Sequence, residues 1–518
     1  MNLNPNNNGA GRGPWLIWTA VALAILLAHA LSFRFVIDDA FISFRYAQNL
    51  VDGHGLVFNI GEKVEGYSNL LYVLLSAAGI RLGVDPLLWG RIWSTLAMGG
   101  LLALLPGIVR LLAPEENAHR ALPGQVAQML TAFTGAVACW MLAGLETAFF
   151  ALFTVWAWRS ALKRQTILAA VAGLLLILTR PEGPALAFLF AAWSLLPSDA
   201  LSTGYYGSNR KRWLGPVLLL VGTVAFFLWR HSYFGWWLPN TYYAKTGDWA
   251  GQFKTGLPYG LNFLKWYGAG VLAVAVVAVL RGGMALIIRR DMLLTLATVV
   301  IWSLYVTMIG GDMLGMFRFF VPVLPLLLTW LTALLSGTSW LSRPRGALVA
   351  TVILALLLLP ASFKGKERRL VSIHMTEANL GGWFLAGDAL AKIFPANTTI
   401  ALGPAGYIPY ITGFKTYDYY GLVVPEISHR DISFEHGYAG HEKHDGGYLL
   451  SRLPDLFLIG NVDITNGPRQ GLIPILDREK DIVFDERFGR NYEMISIPAG
   501  GGKNLNLFKR RDKFNSGP

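Results

Sequence analysis

The chain has almost no cysteine and little charge. Cys139 stands alone among 518 residues, which excludes a disulfide framework and a cysteine-based metal cluster. Charged residues make up 15%, against roughly 25% in soluble globular proteins. The glycine-rich dinucleotide fingerprint, the phosphate loop and zinc-ligand spacing are also missing, so no nucleotide cofactor is indicated. No repeat of fixed period occurs, and low complexity is confined to the Asn/Gly-rich start "MNLNPNNNGAGRGP". The net charge is +12, but Lys and Arg stand in short clusters between apolar runs. That is the distribution of orienting membrane loops, not of a nucleic-acid surface.

What the sequence has in excess is apolar residues, 54% of the chain, which identifies a polytopic α-helical membrane protein. Crossing the hydrocarbon takes about 20 helical residues. Runs near 14–36, 87–112, 125–143, 146–161, 165–180, 182–197, 213–230, 261–280, 292–310, 319–336 and 346–363 approach that length. The run 70–80 in "VEGYSNLLYVLLSAAGIRLG" is too short and is expected to lie along the membrane as an interfacial helix. With it left out, "RSALKR" (159–164), "SNRKR" (208–212), "RGGMALIIRR" (281–290) and "SRPR" (342–345) all fall on one face, which the positive-inside rule makes cytoplasmic. About eleven spans follow, with the N-terminus inside, the C-terminus outside, and the first run a retained span without a small-residue cleavage site.

Beyond Ser362 the composition turns polar. Residues 364–518 are expected to form an extracytoplasmic α/β domain, with strands in "TTIALG" (398–403), "PDLFLIG" (454–460) and "YEMISI" (492–497). Residues 1–363 are then a membrane domain whose first outer loop is 37–69.

The same parity places six polar motifs on the outer face: "IDDAFISFRY" (37–46), "KVEGYSN" (63–69), "GLET" (144–147), "TRPEGP" (179–184), "WWLPNTYYAK" (236–245) and "GGDMLGMFRFF" (310–320). Charged groups at the end of a span are costly unless paired or used. Asp38 and Asp39 have the chemistry of a general base for an acceptor hydroxyl, and mutual repulsion gives neighbouring carboxylates separate roles. Arg45, Arg180, Lys245 and Arg318 are cations suited to a departing phosphate. His54, Glu65, Tyr67, Glu146, Glu182, Asn240 and Asp312 complete the candidate substrate-binding set. Each has a structural alternative: Arg180 with Glu182 as an ion pair between spans, Arg45 snorkelling from an amphipathic helix, Asp312 capping a turn. Trp236, Trp237, Tyr242 and Tyr243 fit an interfacial aromatic belt.

Three classes of protein fit a chain of this kind, and the sequence favours one of them. A transporter is disfavoured because no matching halves appear and the polar motifs crowd one face. A non-catalytic scaffold leaves the six motifs unexplained. "DDAFISFRYAQNLVDGHGLVFNIGEKVEGYSN" after a first span resembles the first outer loop of GT-C-class glycosyltransferases that use polyprenyl-phosphate sugars. The likeness continues in "GLET", "RPEG", "LPNTYYAK", "GGDMLGMFRFFVPVLP" and "GPAGYIPYITGFKTYDYYGL" (403–422). More narrowly it resembles the mycobacterial terminal β-(1→2)-arabinofuranosyltransferase family and related bacterial arabinosyltransferases, including a pilin arabinosyltransferase.

That resemblance implies transfer of arabinofuranose from a polyprenyl monophosphate donor to a glycan or glycoprotein acceptor outside the cytoplasmic membrane. Mannose or aminoarabinose on the same carrier is the alternative. It implies a catalytic aspartate in the first outer loop, falling on Asp38 or Asp39; the expectation takes Asp38 as base and Asp39 as positioning the loop or a hydroxyl. Metal dependence stays open, since some enzymes of this class use a divalent ion and others none. So does the inverting or retaining outcome.

Overall fold

A computed structural model describes residues 12–33, 35–114, 122–196, 210–280, 284–337, 343–375, 381–430 and 443–513. Most of the Asn/Gly-rich start and parts of the basic loops 208–212, 281–290 and 342–345 lie outside these residues. The chain divides into two compact units, one of residues 1–35, 90–226 and 253–371, the other of 36–89, 227–252 and 372–518.

The first unit is helical. Each of the eleven expected runs contains a helix, but among the described residues five helices have the length and apolarity of a membrane span: Pro86–Leu112, Lys211–Phe234, Trp249–Ala278, Arg290–Met308 and Pro344–Phe363. Trp15–Leu31, Thr166–Thr179, Gly183–Ser194 and Leu324–Ser336 are shorter and apolar. The expected span 125–143 is broken into Leu122–Ala132 and Gly135–Met141.

Composition and exposure agree with a lipid surround. Leu214, Val217, Leu218, Val221 and Val224 lie open on one helix, and Leu348, Val352, Ile353 and Leu356 on another, an arrangement water would penalise and lipid does not. Several hydroxyls inside are satisfied within their own helices. The hydroxyls of Thr131, Thr134, Thr154, Thr298 and Thr332 each donate to the carbonyl four residues earlier, so they carry no open hydrogen-bonding demand into the apolar interior. At the helix break, the Ala132 carbonyl lies 3.1 Å from His29 Nδ1 and the Ala136 N–H donates to the Tyr267 hydroxyl at 3.1 Å.

A π-helical turn, Leu264–Gly268, interrupts the long span. Before it, "GLPYG" (256–260) spaces two glycines four apart, the pattern that brings membrane helices into backbone contact. Both face Thr307. A Cβ at Gly256 would lie 1.9 Å from the Thr307 carbonyl oxygen, and one at Gly260 would lie 2.4 Å from its hydroxyl.

The second unit holds a mixed sheet. Its strands are β1 (Thr399–Leu402), β2 (Lys415–Asp418), β3 (Leu456–Phe457), β4 (Asp463–Asn466), β5 (Tyr492–Gly500) and β6 (Lys503–Arg510), in the order β2-β1-β3-β6-β4 with β5 also paired to β6. β1 runs parallel to β2 and to β3, and β6 is antiparallel to its partners. The three expected strands are β1, β3 and β5. The β5–β6 hairpin turns on Gly500, Gly501 and Gly502, all at positive φ, a conformation glycine adopts without steric penalty. Ile400, Leu402, Leu456, Leu505 and Leu507 build the core with Trp383, Ala386 and Leu390 of the helix Gly382–Ile393. The run 70–80 forms the helix Leu70–Arg81.

The helix contact makes a stability prediction. Gly256→Ala should destabilise the purified protein in detergent by roughly 1–3 kcal/mol or more, because the added methyl has no room beside a backbone oxygen. Gly471→Ala, in open space, should change it by less than about 0.5 kcal/mol. Equal thermal shifts for the two would refute the close approach.

Candidate active site

The sequence-derived candidates fall into two groups, one in each unit. In the second unit, Asp38 caps the helix Asp39–Val51 and is buried, 6% exposed. Its two carboxylate oxygens accept separate bonds: the Gly406 N–H donates at 2.8 Å and the Tyr407 N–H at 2.8 Å. These donors open the short helix Tyr407–Thr412, just after β1. Position 406 must be glycine for this, since a Cβ there would lie 2.0 Å from the Asp38 carbonyl oxygen and 2.5 Å from its carboxylate. Burial pushes the Asp38 carboxyl up to about 7, the two N–H donors acting against it and the adjacent Asp39 adding to it.

Asp39 is half-buried, and no hydrogen bond or ion pair engages its carboxylate among the described residues. The adjacent aspartates therefore differ in kind. One is filled by main-chain donors and the other is open.

Arg45 is not at the surface. It lies 5% exposed, its guanidinium over the Phe58 ring at 4.8 Å, and donates to the carbonyls of Phe58 at 2.8 Å, Gly413 at 3.2 Å and Phe414 at 2.8 Å, and to that of Pro409. It closes the C-terminal end of the same short helix that Asp38 closes at the start, so its donors are spent on carbonyls. Asn240 has a comparable task, donating to the carbonyls of Gly421 at 2.7 Å and Leu422 at 2.9 Å and accepting from the Ser428 hydroxyl. Glu65 pairs with Arg230 at 2.9 Å, both buried, and burial raises the Glu65 carboxyl to about 7 against the pull of that arginine. The Tyr67 hydroxyl is buried without a hydrogen-bond partner among the described residues. His54 is exposed, and Lys245 ends the helix Asn240–Lys245 half-buried. The structure gathers neither into a cluster. Trp236 stacks on His429 with centroids 4.0 Å apart, and Tyr243 lies 4.2 Å from the same ring.

In the first unit, three of the expected motifs converge. Arg180, at the C-terminal cap of Thr166–Thr179, donates from Nη1 to Glu146 Oε1 at 2.8 Å, and from Nε and Nη2 to both oxygens of Glu182 at 3.2 Å. The ion pair anticipated within "RPEG" is thus present. Arg318 pairs with Asp312, Nε to Oδ2 at 2.8 Å and Nη2 to Oδ1 at 3.3 Å, while Asp312 also caps the turn through the Leu314 N–H at 3.2 Å. Both guanidinium groups stand 5.0 Å from the Phe319 ring centroid, within the range of a cation–π contact. Arg318 Nη1 has no hydrogen-bond partner among the described residues.

The segment that carries Arg318 is conformationally costly. Gly310, Gly311 and Gly315 have positive φ, and so do the buried, consecutive Met316 (φ 51) and Phe317 (φ 52). Left-handed backbone costs a non-glycine residue roughly 1–2 kcal/mol, and persists only where the surroundings enforce it. Here the Trp140 indole donates to the Met316 carbonyl at 3.1 Å and the Trp302 indole to that of Phe319 at 2.7 Å. Phe317 packs against Tyr259 and Tyr267, and Phe320 stacks on Phe263 at 3.7 Å.

Sequence reasoning missed several of these partners. Arg230 is a lone charge in an apolar run, the sign of a buried pairing or a functional site. Asp418 closes β2 wholly buried, accepting from the N–H groups of Tyr420, Leu422 and Val423 at 3.1, 2.9 and 2.8 Å; it stood in the quoted "KTYDYYGL" without being singled out. Gly406 and Tyr407 left no signal beyond the "GPAG" turn. Among the described residues no three His, Cys, Asp or Glu gather as metal ligands.

Fold and composition together describe a multi-pass helical membrane protein with a small sheet-bearing unit. The chain superposes on the crystal structure of ArnT from Cupriavidus metallidurans bound to undecaprenyl phosphate, with a TM-score of 0.58 and 12% identity over 97% of this chain and 99% of that one. In sequence it is similar to the terminal β-(1→2)-arabinofuranosyltransferase of Mycobacterium tuberculosis, 27% identical over 280 residues. That match covers 50% of this chain and 42% of the relative, so the chain aligns with less than half of the relative's length. A looser likeness, TM-score 0.40 at 15% identity, joins 78% of the chain to 32% of the mycobacterial arabinofuranosyltransferase AftD. Residues 372–508 match a domain of unknown function, DUF8728.

Two outcomes test this geometry. Asp38→Asn leaves one of the two N–H donors without an acceptor and should cost about 1–3 kcal/mol. Because the folded carboxyl is raised, the stability it contributes is full below its unfolded value near 4 and is lost as pH rises toward about 7. The advantage of wild type over Asp38→Asn should therefore shrink between about pH 4 and pH 7 in thermal melts; growth of that advantage over the range would contradict the burial argument. Arg318→Ala strands the Asp312 carboxylate and should cost about 3–5 kcal/mol, partly restored in the Arg318→Ala/Asp312→Ala double variant.

Proposed function

We propose that the protein is a membrane glycosyltransferase that moves a sugar, arabinofuranose in the first place, from a polyprenyl monophosphate to an envelope glycan or glycoprotein, with Asp39 as general base. The observation that carries the reading is the unequal engagement of Asp38 and Asp39. A base must have a lone pair to offer within reach of the attacking hydroxyl. Each Asp38 oxygen already accepts a main-chain N–H, whereas no bond engages the Asp39 carboxylate among the described residues. This reverses the order expected from the sequence: Asp38 orients, and Asp39 takes the proton.

In this reading the acceptor oxygen attacks the anomeric carbon as its proton passes to Asp39. The bond from that carbon to the phosphate oxygen breaks, and the polyprenyl phosphate leaves with its added negative charge. Support for the chemical class comes from the similarity to the mycobacterial transferase and from the fold shared with a protein crystallised with undecaprenyl phosphate. The notion of an active centre and a sheet-bearing unit on the extracytoplasmic side rests on the charge parity of the loops.

Transfer by purified Asp39→Asn from a polyprenyl-phosphate arabinofuranose donor should fall by about 100-fold or more, with its melting temperature near that of wild type. Asp38→Asn should lose activity in step with its stability. Full transfer by a folded Asp39→Asn would sink the assignment. Mass analysis of envelope glycans from a deletion strain identifies the sugar: loss of a hexose or an aminopentose with arabinofuranose intact moves the reading to the alternative donor.

A further inference from the structure

We propose that a groove beside the π-helical turn Leu264–Gly268 holds an anionic phospholipid of the bilayer, its phosphate on Lys265, Lys364 and Lys366 and part of one acyl chain inside. Such turns within long helices recur at functional sites. A cavity of about 240 Å³ lies there, walled by Gly270, Leu328, Leu354 and Leu357 and bordered by Lys265 and Trp266. All of these residues belong to the first unit. The space is larger than the roughly 150 Å³ with which an apolar cavity takes up benzene, so a length of hydrocarbon chain fits. Leu357 is itself exposed, which opens the groove toward lipid. Tyr267 also lines it, but its hydroxyl is taken by the Ala136 N–H.

Two glycines shape the site. Gly270 lies inside the long helix Trp249–Ala278 without a positive φ, and the nearest atoms a Cβ there would meet belong to Leu357, 3.5 Å away. Neither backbone nor packing requires glycine at this position, and glycine weakens a helix relative to alanine; what it leaves is room. Gly365 is the opposite case: at φ 96 it lies so close to Trp266 that a Cβ would stand 2.8 Å from the ring. That contact brings the segment "KGKERR" (364–369) against the π-helical turn, with Lys364 and Lys366 on either side of the contact. Lys265, Lys364 and Lys366 are exposed, and no ion pair engages them among the described residues. Glu367, the one acid of the segment, is buried and accepts from Asn262 Nδ2 at 2.9 Å. By the charge parity of the loops, the four cations of this segment fall on the face where the positive-inside rule expects few. Topology does not account for them, whereas attraction to a lipid phosphate does. The lining offers no carboxylate or amide to hold sugar hydroxyls, which favours a phospholipid over a glycosylated lipid phosphate.

The test titrates the full-length protein in detergent with phosphatidylglycerol or phosphatidylcholine of the same chain length and follows the tightest-bound lipid by native mass spectrometry. Wild type should hold phosphatidylglycerol about tenfold more tightly than phosphatidylcholine. The Lys265→Ala/Lys366→Ala variant should lose that preference. Lys254→Ala, which removes an exposed cation elsewhere on the same helix, should keep it. Gly270→Leu, filling the groove, should weaken both lipids about tenfold at an unchanged melting temperature. Equal affinity for the two lipids in wild type, or a preference that survives the double lysine variant, would overturn the proposal, and so would undisturbed binding in a folded Gly270→Leu. Displacement of phosphatidylglycerol by an equal concentration of undecaprenyl phosphate would also overturn it, giving the groove to a polyprenyl lipid instead.

Discussion

Lipid offers no hydrogen bonds, and the first unit is arranged around that fact. A polar group placed among its helices is costly unless it finds a partner in protein. Threonines return their hydroxyls to their own helices, His29 and Tyr267 meet the backbone groups freed where a helix breaks, and Arg180 and Arg318 are each met by carboxylates. The charged cluster is thus possible only as a set. Removing one member leaves another stranded at low dielectric, where an uncompensated charge is far costlier than in water. This also accounts for the tolerance of two left-handed residues at 316 and 317: the cluster and its aromatic surround leave the turn no relaxed alternative.

The second unit obeys the same rule with a different device. Its carboxylates face main-chain N–H groups at strand and helix ends: Asp38 at the start of Tyr407–Thr412, and Asp418 in the turn after β2. A carboxylate filled in this way is an organiser of backbone. Its neighbour Asp39 has no such partner among the described residues, so two identical side chains of one dipeptide stand in different surroundings.

Much of this was legible in the sequence, for reasons that differ by scale. Helix positions followed from apolar runs, because a lipid-facing helix advertises itself over its whole length. Three strands were visible as short β-branched and aromatic stretches between turn residues, whereas β2, with "KTYD", and β4, with "DITN", are too polar to read as sheet. The grouping of Glu146, Arg180, Glu182, Asp312 and Arg318 was anticipated as a shared face, and they do meet. The roles of Arg45 and Asn240 were not legible. Their partners are carbonyl oxygens, which every residue possesses, so no side-chain pattern announces them. The same applies to Asp38, whose partners are two N–H groups 368 and 369 positions away.

That separation bears on how the molecule comes into being. At synthesis rates of roughly 5–20 residues per second, the Asp-Asp segment emerges tens of seconds before the residues that complete it. Until Gly406 and Phe414 have been made, Asp38 has no N–H donors and Arg45 lacks the carbonyls that finish its coordination. The dipeptide is made early, whereas the residues that complete its surroundings are made late. A nascent chain that stops short of Gly406 therefore leaves Asp38 without the main-chain donors that hold its carboxylate.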